Sequence, residues 1–384
     1  MNRRCATLVL IALTVAVATG TALSSCALDP SSRSSPAPGA ATVTDPTDQA
    51  SFARLLDALR DRRVVYLGEI HDHYDHHVNQ LAVIRGLHAR GRDLAIGLEA
   101  FQTPFQAHLD AYVAGRVDET EMLQRTRYYE RWRFDYRLYR DILRFARDEG
   151  IPLVALNAPA ELVEAVSSQG IAGLTPGLRA QLPAAIPPAD AAYRERIRQA
   201  FALHGGLDAD RFERFLEVQS VWDEYMAQTA ADYLARHPRK TLAVLVGSAH
   251  VLHDSAVPNR LQRRLPAADA VIVTEPFSAL PGVAPDHVLA SRNLKLAARG
   301  RTGLALAEQG GVVVVRGIAP GSAAAQAGIK PGDRIRRIGD VAVGGLADVR
   351  LALTDSAPGE RLRLQIERAG NGRSQTLSRV LTPL

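Results

Sequence analysis

The chain is 384 residues long with a mass of 41.5 kDa, enough for two or three domains and a substantial core. Hydrophobic residues make up 47% and charged residues 23%, an ordinary globular usage that excludes wholesale disorder and a polytopic membrane protein. The net charge of +5 is unevenly spread: residues 1–26 carry +2, residues 286–384 carry 15 Lys/Arg against 8 Asp/Glu for +7, and the body between is left at −4. With no basic stripe interleaved with aromatics, this pattern argues against a nucleic-acid partner.

Residues 1–25 read as an export signal. Arg3 and Arg4 precede an apolar run from Leu8 to Ala22, about 15 residues where a membrane span needs roughly 20. Leu23-Ser24-Ser25-Cys26 resembles the bacterial lipobox, in which the cysteine is lipidated after cleavage. The other cysteine, Cys5, lies in the segment removed, so neither a disulfide nor thiol chemistry is expected. Acyl chains on Cys26 would hold the protein at a membrane surface without spanning it. Ala27, following the cysteine, resembles a sorting signal for the periplasmic face of a bacterial outer membrane. Residues 26–47, rich in Ser, Pro and Ala, read as a flexible tether. The helical spacing of Phe52, Leu55, Leu56 and Leu59 marks the start of folded structure.

Between residues 48 and 282, short apolar runs alternate with helical patterns, which predicts an α/β domain with a largely parallel sheet flanked by helices. The runs are Val64–Leu67, Leu94–Leu98, Pro152–Leu156, Leu242–Val246 and Ala270–Val273. Each ends in a polar residue: Glu69 and His71 in Gly68-Glu69-Ile70-His71, then Glu99, Asn157, His250 in Gly247-Ser248-Ala249-His250, and Glu275. Ligands of parallel sheets bind beyond the carboxyl ends of the strands. There Glu69, His71, Glu99 and His250 have the chemistry either to ligate a divalent metal such as zinc or manganese or to run acid/base chemistry without one. A glycine three residues before each imidazole fits a tight turn at the strand exit. If residues 74–88 are helical, His73 lies one turn from both His76 and His77 and shares a face with them. Helical periodicity over 208–235 places Trp222 and Met226 in the core.

Leu67-Gly68-Glu69-Ile70-His71-Asp72, His76-His77 with Gln80, Gly97-Leu98-Glu99, Trp132, Tyr139 to Leu143, Val154 to Asn157, Gln219 with Trp222-Asp223-Glu224, and Gly247 to His250 together resemble the ChaN family. These are bacterial lipoproteins of a haem-binding-uptake superfamily that also includes Tiki proteins and erythromycin esterase-like enzymes. The resemblance implies haem binding associated with iron acquisition, a pair of haems between two subunits of a homodimer, and tyrosine as iron ligand. Tyr128, Tyr129, Trp132, Tyr136 and Tyr139 crowd one stretch, and at helical spacing Trp132, Tyr136, Tyr139 and Leu143 form one stripe suited to porphyrin stacking. Tyr139 and Tyr136 are then the candidate phenolate ligands, with His71 or His77 as ligand or hydrogen-bond partner and Arg140 among the arginines that could pair with propionates. His73 and Asp141 depart from the family pattern, where Asn and Pro are common.

Pro276, Pro281 and Pro285 mark a boundary, and residues 290–384 resemble a PDZ domain, a small β-sandwich or barrel-like module. The match rests on Arg301 to Leu306, Val312 to Gly317 and above all Ala319 to Ile335, where a run of alanines is stopped by Gly328 and followed by Pro331-Gly332-Asp333. Such a module takes a peptide C-terminus as an added strand, here along Gly303, Leu304, Ala305 and Leu306, with backbone N–H groups around Gly303 holding the carboxylate.

Two functions follow. One is a lipid-anchored haem-binding protein whose PDZ module recruits a partner peptide. The other is a metal-assisted hydrolase, a peptidase or esterase, using Glu69, His71, Glu99 and His250. The sequence has no His-Glu-x-x-His, no Gly-x-Ser-x-Gly and no Lys-Ser/Thr phosphate loop.

Overall fold

In a computed structural model, residues 43–203, 208–251, 256–277, 285–370 and 373–383 are described. The signal segment, Cys26 and most of the tether lie outside them. No described helix is long and apolar enough to cross a membrane.

The elements run in chain order as β1 (Val43–Thr44), α1 (Gln49–Ala58), β2 (Val64–Glu69), α2 (Tyr74–Ala89), β3 (Leu94–Gln102), α3 (Gln106–Val113), α4 (Glu119–Arg125), α5 (Tyr128–Arg131) and α6 (Arg140–Asp148). Next come β4 (Leu153–Asn157), α7 (Ala160–Gln169), α8 (Pro176–Arg179), α9 (Ala191–Leu203), α10 (Ala209–Arg236), β5 (Thr241–Gly247), α11 (Val257–Arg264), β6 (Asp269–Thr274) and β7 (His287–Leu289). The last stretch holds β8 (Leu304–Gln309), β9 (Val312–Ile318), α12 (Ala323–Gln326), β10 (Arg334–Ile338), β11 (Val341–Ala342), α13 (Leu346–Ala352), β12 (Leu362–Gly370) and β13 (Arg373–Leu381). These fall into two compact units: one of residues up to 104 with 151–294, the other of residues 105–150 with 295–384.

The first unit is a seven-stranded sheet in the order β1-β7-β6-β2-β5-β3-β4, parallel throughout. All five predicted apolar runs are strands. β2, β3, β4 and β5 are buried along their whole length, as expected of parallel strands covered on both faces. Val64, Tyr66, Val244 and Val246 pack with Met226, Ala227, Ala230 and Leu234 of α10, and Trp222 rests on the same cluster. α1 starts on Asp48, whose side chain accepts Ala50 N–H, and α10 on Asp208, which accepts Arg211 N–H; each satisfies a donor that a helix start leaves unpaired. Because β5 lies between β2 and β3, Glu69 and Gly247 at the ends of β2 and β5 come beside Glu99, which lies within β3 just past Leu98, the last β3 residue paired with β5.

In the second unit, the antiparallel path β13-β12-β10-β9-β8 with β11 on β10 wraps a core of Val313, Val315, Ile335, Val349, Leu364 and Ile366. Gly303, just before β8, sits at φ +75°, and a side chain there would drive a Cβ to 2.1 Å from Ser322 Cβ, so only glycine closes this loop. Leu304 and Leu306 are partly buried against the core while Ala305 is exposed. β8 ends the sheet and, among the described residues, pairs only with β9. Helices α3 to α6 belong to this unit too.

The expected aromatic stripe is not one helix. α5 stops at Arg131, Arg133 takes a left-handed φ of +71°, and a 3-10 turn at Tyr136–Leu138 precedes α6. The break is built by Asp135, whose carboxylate accepts Arg137 N–H at 3.1 Å and pairs with the Arg137 guanidinium at 2.8 Å, starting a new turn where the period would have continued. The rings therefore pack on one another. Tyr128 meets Tyr129 at 5.3 Å and Tyr136 at 5.6 Å, both edge-to-face, and Trp132 Nε1–H donates to Tyr139 Oη at 3.3 Å. All five are buried; this is edge-to-face core packing, with no flat platform open to a ligand.

Candidate functional site

The four residues that the strand exits single out do meet. His71 Nδ1–H donates to Glu69 Oε1 at 2.8 Å, and Glu69 Oε2 accepts from Gln80 Nε2 at 2.7 Å. Glu99 Oε2 accepts Gly247 N–H at 2.7 Å, while its Oε1 stands 3.5 Å from His250 Nε2. A methyl group at Gly247 would lie 3.0 Å from His71 Cε1, 3.1 Å from its Nε2 and 3.6 Å from Glu99 Oε2. Gly247 thus leaves the room that His71 and Glu99 occupy, which a side chain at this position would invade. Neither Gly68 nor Gly247 has a positive φ; both serve closeness of approach, since a methyl group at Gly68 would lie 3.0 Å from Val273 Cγ1 and 3.1 Å from Ser248 Oγ, and a 3-10 turn, Ser248–His250, follows Gly247 directly. Glu69 and Glu99 are buried, and the side chains of His71 and His250 are each 13% exposed, so the imidazoles are the part of the cluster that solvent reaches.

A third carboxylate, which the sequence reading did not select, fixes His250. Asp223, at the middle of α10, accepts His250 Nδ1–H at 2.6 Å on Oδ1 and Tyr193 Oη–H at 3.0 Å on Oδ2. Arg260 Nε stands 3.8 Å from the same Oδ2 and the Trp222 ring lies edge-on to His250. Next to it, Glu224 is fully buried and holds Arg260 at 2.6 Å, Arg264 at 2.5 Å and Arg263 at 3.0 Å, tying α11 to α10. The signal was available. Gln219, Ser220, Asp223 and Glu224 recur three and four apart on the buried side of a helix otherwise lined by Leu216, Met226 and Ala230, and polar groups so placed need partners.

Burial disfavours the charged form of His250, but Asp223 and Glu99 overcome it and hold its pKa at about 9. The same contest at His71, burial against Glu99 and Glu69, also ends with the pKa raised. His250 favours the imidazolium, His71 is shifted in the same direction, and in both a carboxylate on Nδ1 orients the ring and aims Nε2. Such a pair of carboxylate-oriented imidazoles beside Glu99 can donate and accept protons across a bound group.

The other predicted residues are placed differently. His77 is buried, with Nδ1 3.0 Å from Gln80 Oε1 and Nε2 donating to His71 O at 3.0 Å. His73 stands at the N-cap position of α2 without a side-chain capping bond, and its ring meets that of His76 at 5.0 Å, while His77 is engaged by Gln80 and His71 instead. His76 is pushed down to about 4 by burial; its Nδ1 accepts Ile70 N–H and its Nε2 donates to Glu275 O. Asn157 ties strand ends together through Glu99 O and Ala158 N, and the Glu275 side chain is exposed. Tyr136 and Tyr139 are 0% and 1% exposed. Arg140 is taken by Glu119 at 3.0 Å and Asp355 at 2.5 Å.

Among the described residues, no three His, Cys, Asp or Glu side chains are disposed to hold one metal ion. The expected zinc or manganese set of Glu69, His71, Glu99 and His250 is instead paired off, each imidazole to a carboxylate. For haem, the fit is partial: the buried phenols do not reach a ligand in this conformation, whereas the His71 and His250 rings border solvent.

A parallel sheet with imidazoles and carboxylates converging on its carboxyl rim, followed by an antiparallel module with an open edge strand, defines an α/β protein in two parts, each with a candidate ligand site. Residues 55–261 match the family described as haem-binding uptake, Tiki superfamily, ChaN, and residues 300–378 match the PDZ domain. The chain belongs to the ChaN haem-binding family and carries a PDZ domain. It is 27% identical over 241 residues, 57% of its length, to "Protein RETICULATA-RELATED 5, chloroplastic" of Arabidopsis thaliana, and the match spans 32% of that relative. A solved structure of cofacial haem binding to ChaN of Campylobacter jejuni superposes with a TM-score of 0.50 at 17% identity, covering 62% of this chain and 90% of that one; this shows a shared fold. An erythromycin esterase mutant in its open conformation matches with a TM-score of 0.38 at 17% identity, over 61% of this chain and 76% of that one.

Proposed function

We propose that the protein is a haem-binding component of iron acquisition, anchored through lipid on Cys26 to the periplasmic face of a bacterial outer membrane, whose PDZ module recruits a partner by its C-terminus. Family membership over 55–261 supports haem as the ligand. The structural observation that carries the reading is His71, an imidazole that borders solvent and is oriented from behind by Glu69 at 2.8 Å, the arrangement that fixes metal-binding histidines. Bound haem would supply an iron centre to which imidazole is a normal axial ligand. Ligation by Tyr139 or Tyr136 would require the 128–143 segment to open. Gly303 to Leu306 would hold the peptide along the free edge of β8.

Titration of the purified chain with ferric haem tests this. A Soret band is expected that is lost in His71→Gln and retained in Tyr139→Phe, with circular dichroism confirming both folds. A tyrosinate-type spectrum lost in Tyr139→Phe would transfer the ligand to the tyrosine segment. No haem uptake would sink the reading.

One observation favours a second reading. The Glu69–His71 and Asp223–His250 pairs converge on Glu99, as expected of general acid–base hydrolysis without a metal. Ester or amide hydrolysis by the haem-free chain, abolished in Glu99→Gln and insensitive to chelator, would establish it.

A further inference from the structure

The second unit joins the PDZ module to the tyrosine-bearing helices 105–150, and α13 is where they meet. The start of α13 is tied to the peptide-accepting edge by Glu308 of β8, which accepts Leu346 N–H at 3.0 Å, and is capped from within by Asp348, which accepts the N–H groups of Gly344 at 2.8 Å and Gly345 at 2.9 Å. The far end grips the helices. Thr354 Oγ1 and Tyr129 Oη share a buried hydrogen bond of 2.7 Å, Asp355 takes Arg140 at 2.5 Å, and Arg350 Nη1 donates to Arg133 O at 3.4 Å. Asp135, which breaks the aromatic helix, is held from the PDZ side by Arg299 Nε at 3.1 Å.

Two features make this seam a latch. It carries charged and polar ties that lie at the surface, Arg140 with Asp355 and Arg350 with Arg133 O, the kind of contact that separates and re-forms readily. And α5 is bracketed by Arg127 at φ +53° and Arg133 at φ +71°, left-handed conformations that persist in non-glycine residues only where the surroundings enforce them. Arg350 supplies part of that enforcement by holding the carbonyl of Arg133.

We propose that α13 couples the groove beside β8 to the tyrosine segment 128–148, so that filling the groove shifts the opening equilibrium of that segment, and opening the segment in turn alters the groove. Coupling of this kind is reciprocal by thermodynamic necessity. It does not depend on which ligand the first unit takes.

Hydrogen exchange of the full chain, read by mass spectrometry, tests both directions. Tyr129→Phe removes the buried hydrogen bond on the helix side, and Glu308→Gln weakens the tie on the groove side. Tyr129→Phe is expected to speed exchange in 304–309 and 346–352, and Glu308→Gln in 128–148, each about three- to tenfold, the change expected from loss of one hydrogen bond in local opening. Effects confined to the side of the substitution overturn the proposal. Should Tyr129→Phe loosen the whole unit, including β12, Asp355→Asn at the exposed end of the seam decides by the same two readouts.

Discussion

The pairing of His250 with Asp223 gives the most direct test of how the rim is built. Asp223→Asn keeps the shape of the side chain and an acceptor for His250 Nδ1–H but removes the charge, leaving Glu99 at 3.5 Å as the remaining carboxylate. The rise of His250 from 6.5 to about 9 corresponds to about 3 kcal/mol of preference for the charged form in the folded state, at roughly 1.4 kcal/mol per pH unit. Since the folded-state value is raised, that stabilisation is fully present below pH 6.5 and is lost as pH climbs through 9. In Asp223→Asn the His250 titration is expected to fall by about one to two units, because the nearest opposite charge is gone. Stability should then become flatter between neutral pH and 9. Imidazole Cε1–H NMR titrations, assigned with His250→Gln, and urea unfolding at both ends of that range measure the two effects. His71, whose raised value comes from Glu99 and Glu69 against burial and against the neighbouring charge of His250, should move the opposite way, upward, as His250 loses its charge. A His250 titration unchanged in Asp223→Asn would refute the assignment of Asp223 as the partner that charges and orients it.

Gly247→Ala is expected to displace His71, since the added methyl would stand 3.0 Å from its ring; the overpacking should cost about 1–3 kcal/mol, seen as a lowered Tm with a shifted His71 NMR signal. An unmoved His71 signal would show that the strands spread instead. Glu224→Gln leaves the Arg264 guanidinium, 19% exposed, without its carboxylate and the Arg260 guanidinium, 5% exposed, with only Asp223 at 3.8 Å. Breaking such a buried pair typically costs about 3–5 kcal/mol, and a loss well under 1 kcal/mol in urea unfolding would mean that α11 lets them reach water.

What could be read from the sequence, and what could not, divides along one physical line. Buried parallel strands show themselves as continuous apolar runs, and a residue at the end of such a run has its position fixed by the sheet's hydrogen bonds. That is why Glu69, His71, Glu99 and His250, separated by up to 181 positions in the chain, could be placed at one rim, and why the structure brings them within contact of one another. Asp223 escaped because it projects from the middle of the 28-residue α10, where the period reports which side is buried but not which strand exit lies opposite. The tyrosine segment failed for the converse reason. Its period is helical throughout, yet the backbone turns left-handed at Arg127 and Arg133 with no glycine to mark either place, and at Arg133 the carbonyl is held by Arg350 of the PDZ module. A period is a property of one segment, whereas the conformation at Arg133 also reflects what the segment docks against. The same distinction bears on the ligand: the rim is set by the sheet and is expected to be alike with and without ligand, while the phenols depend on a polar seam that Tyr129, Thr354, Arg140 and Asp355 keep closed. Tyrosine ligation, if haem titration finds it, would therefore require that seam to yield, and exchange in 128–148 should quicken when haem is added.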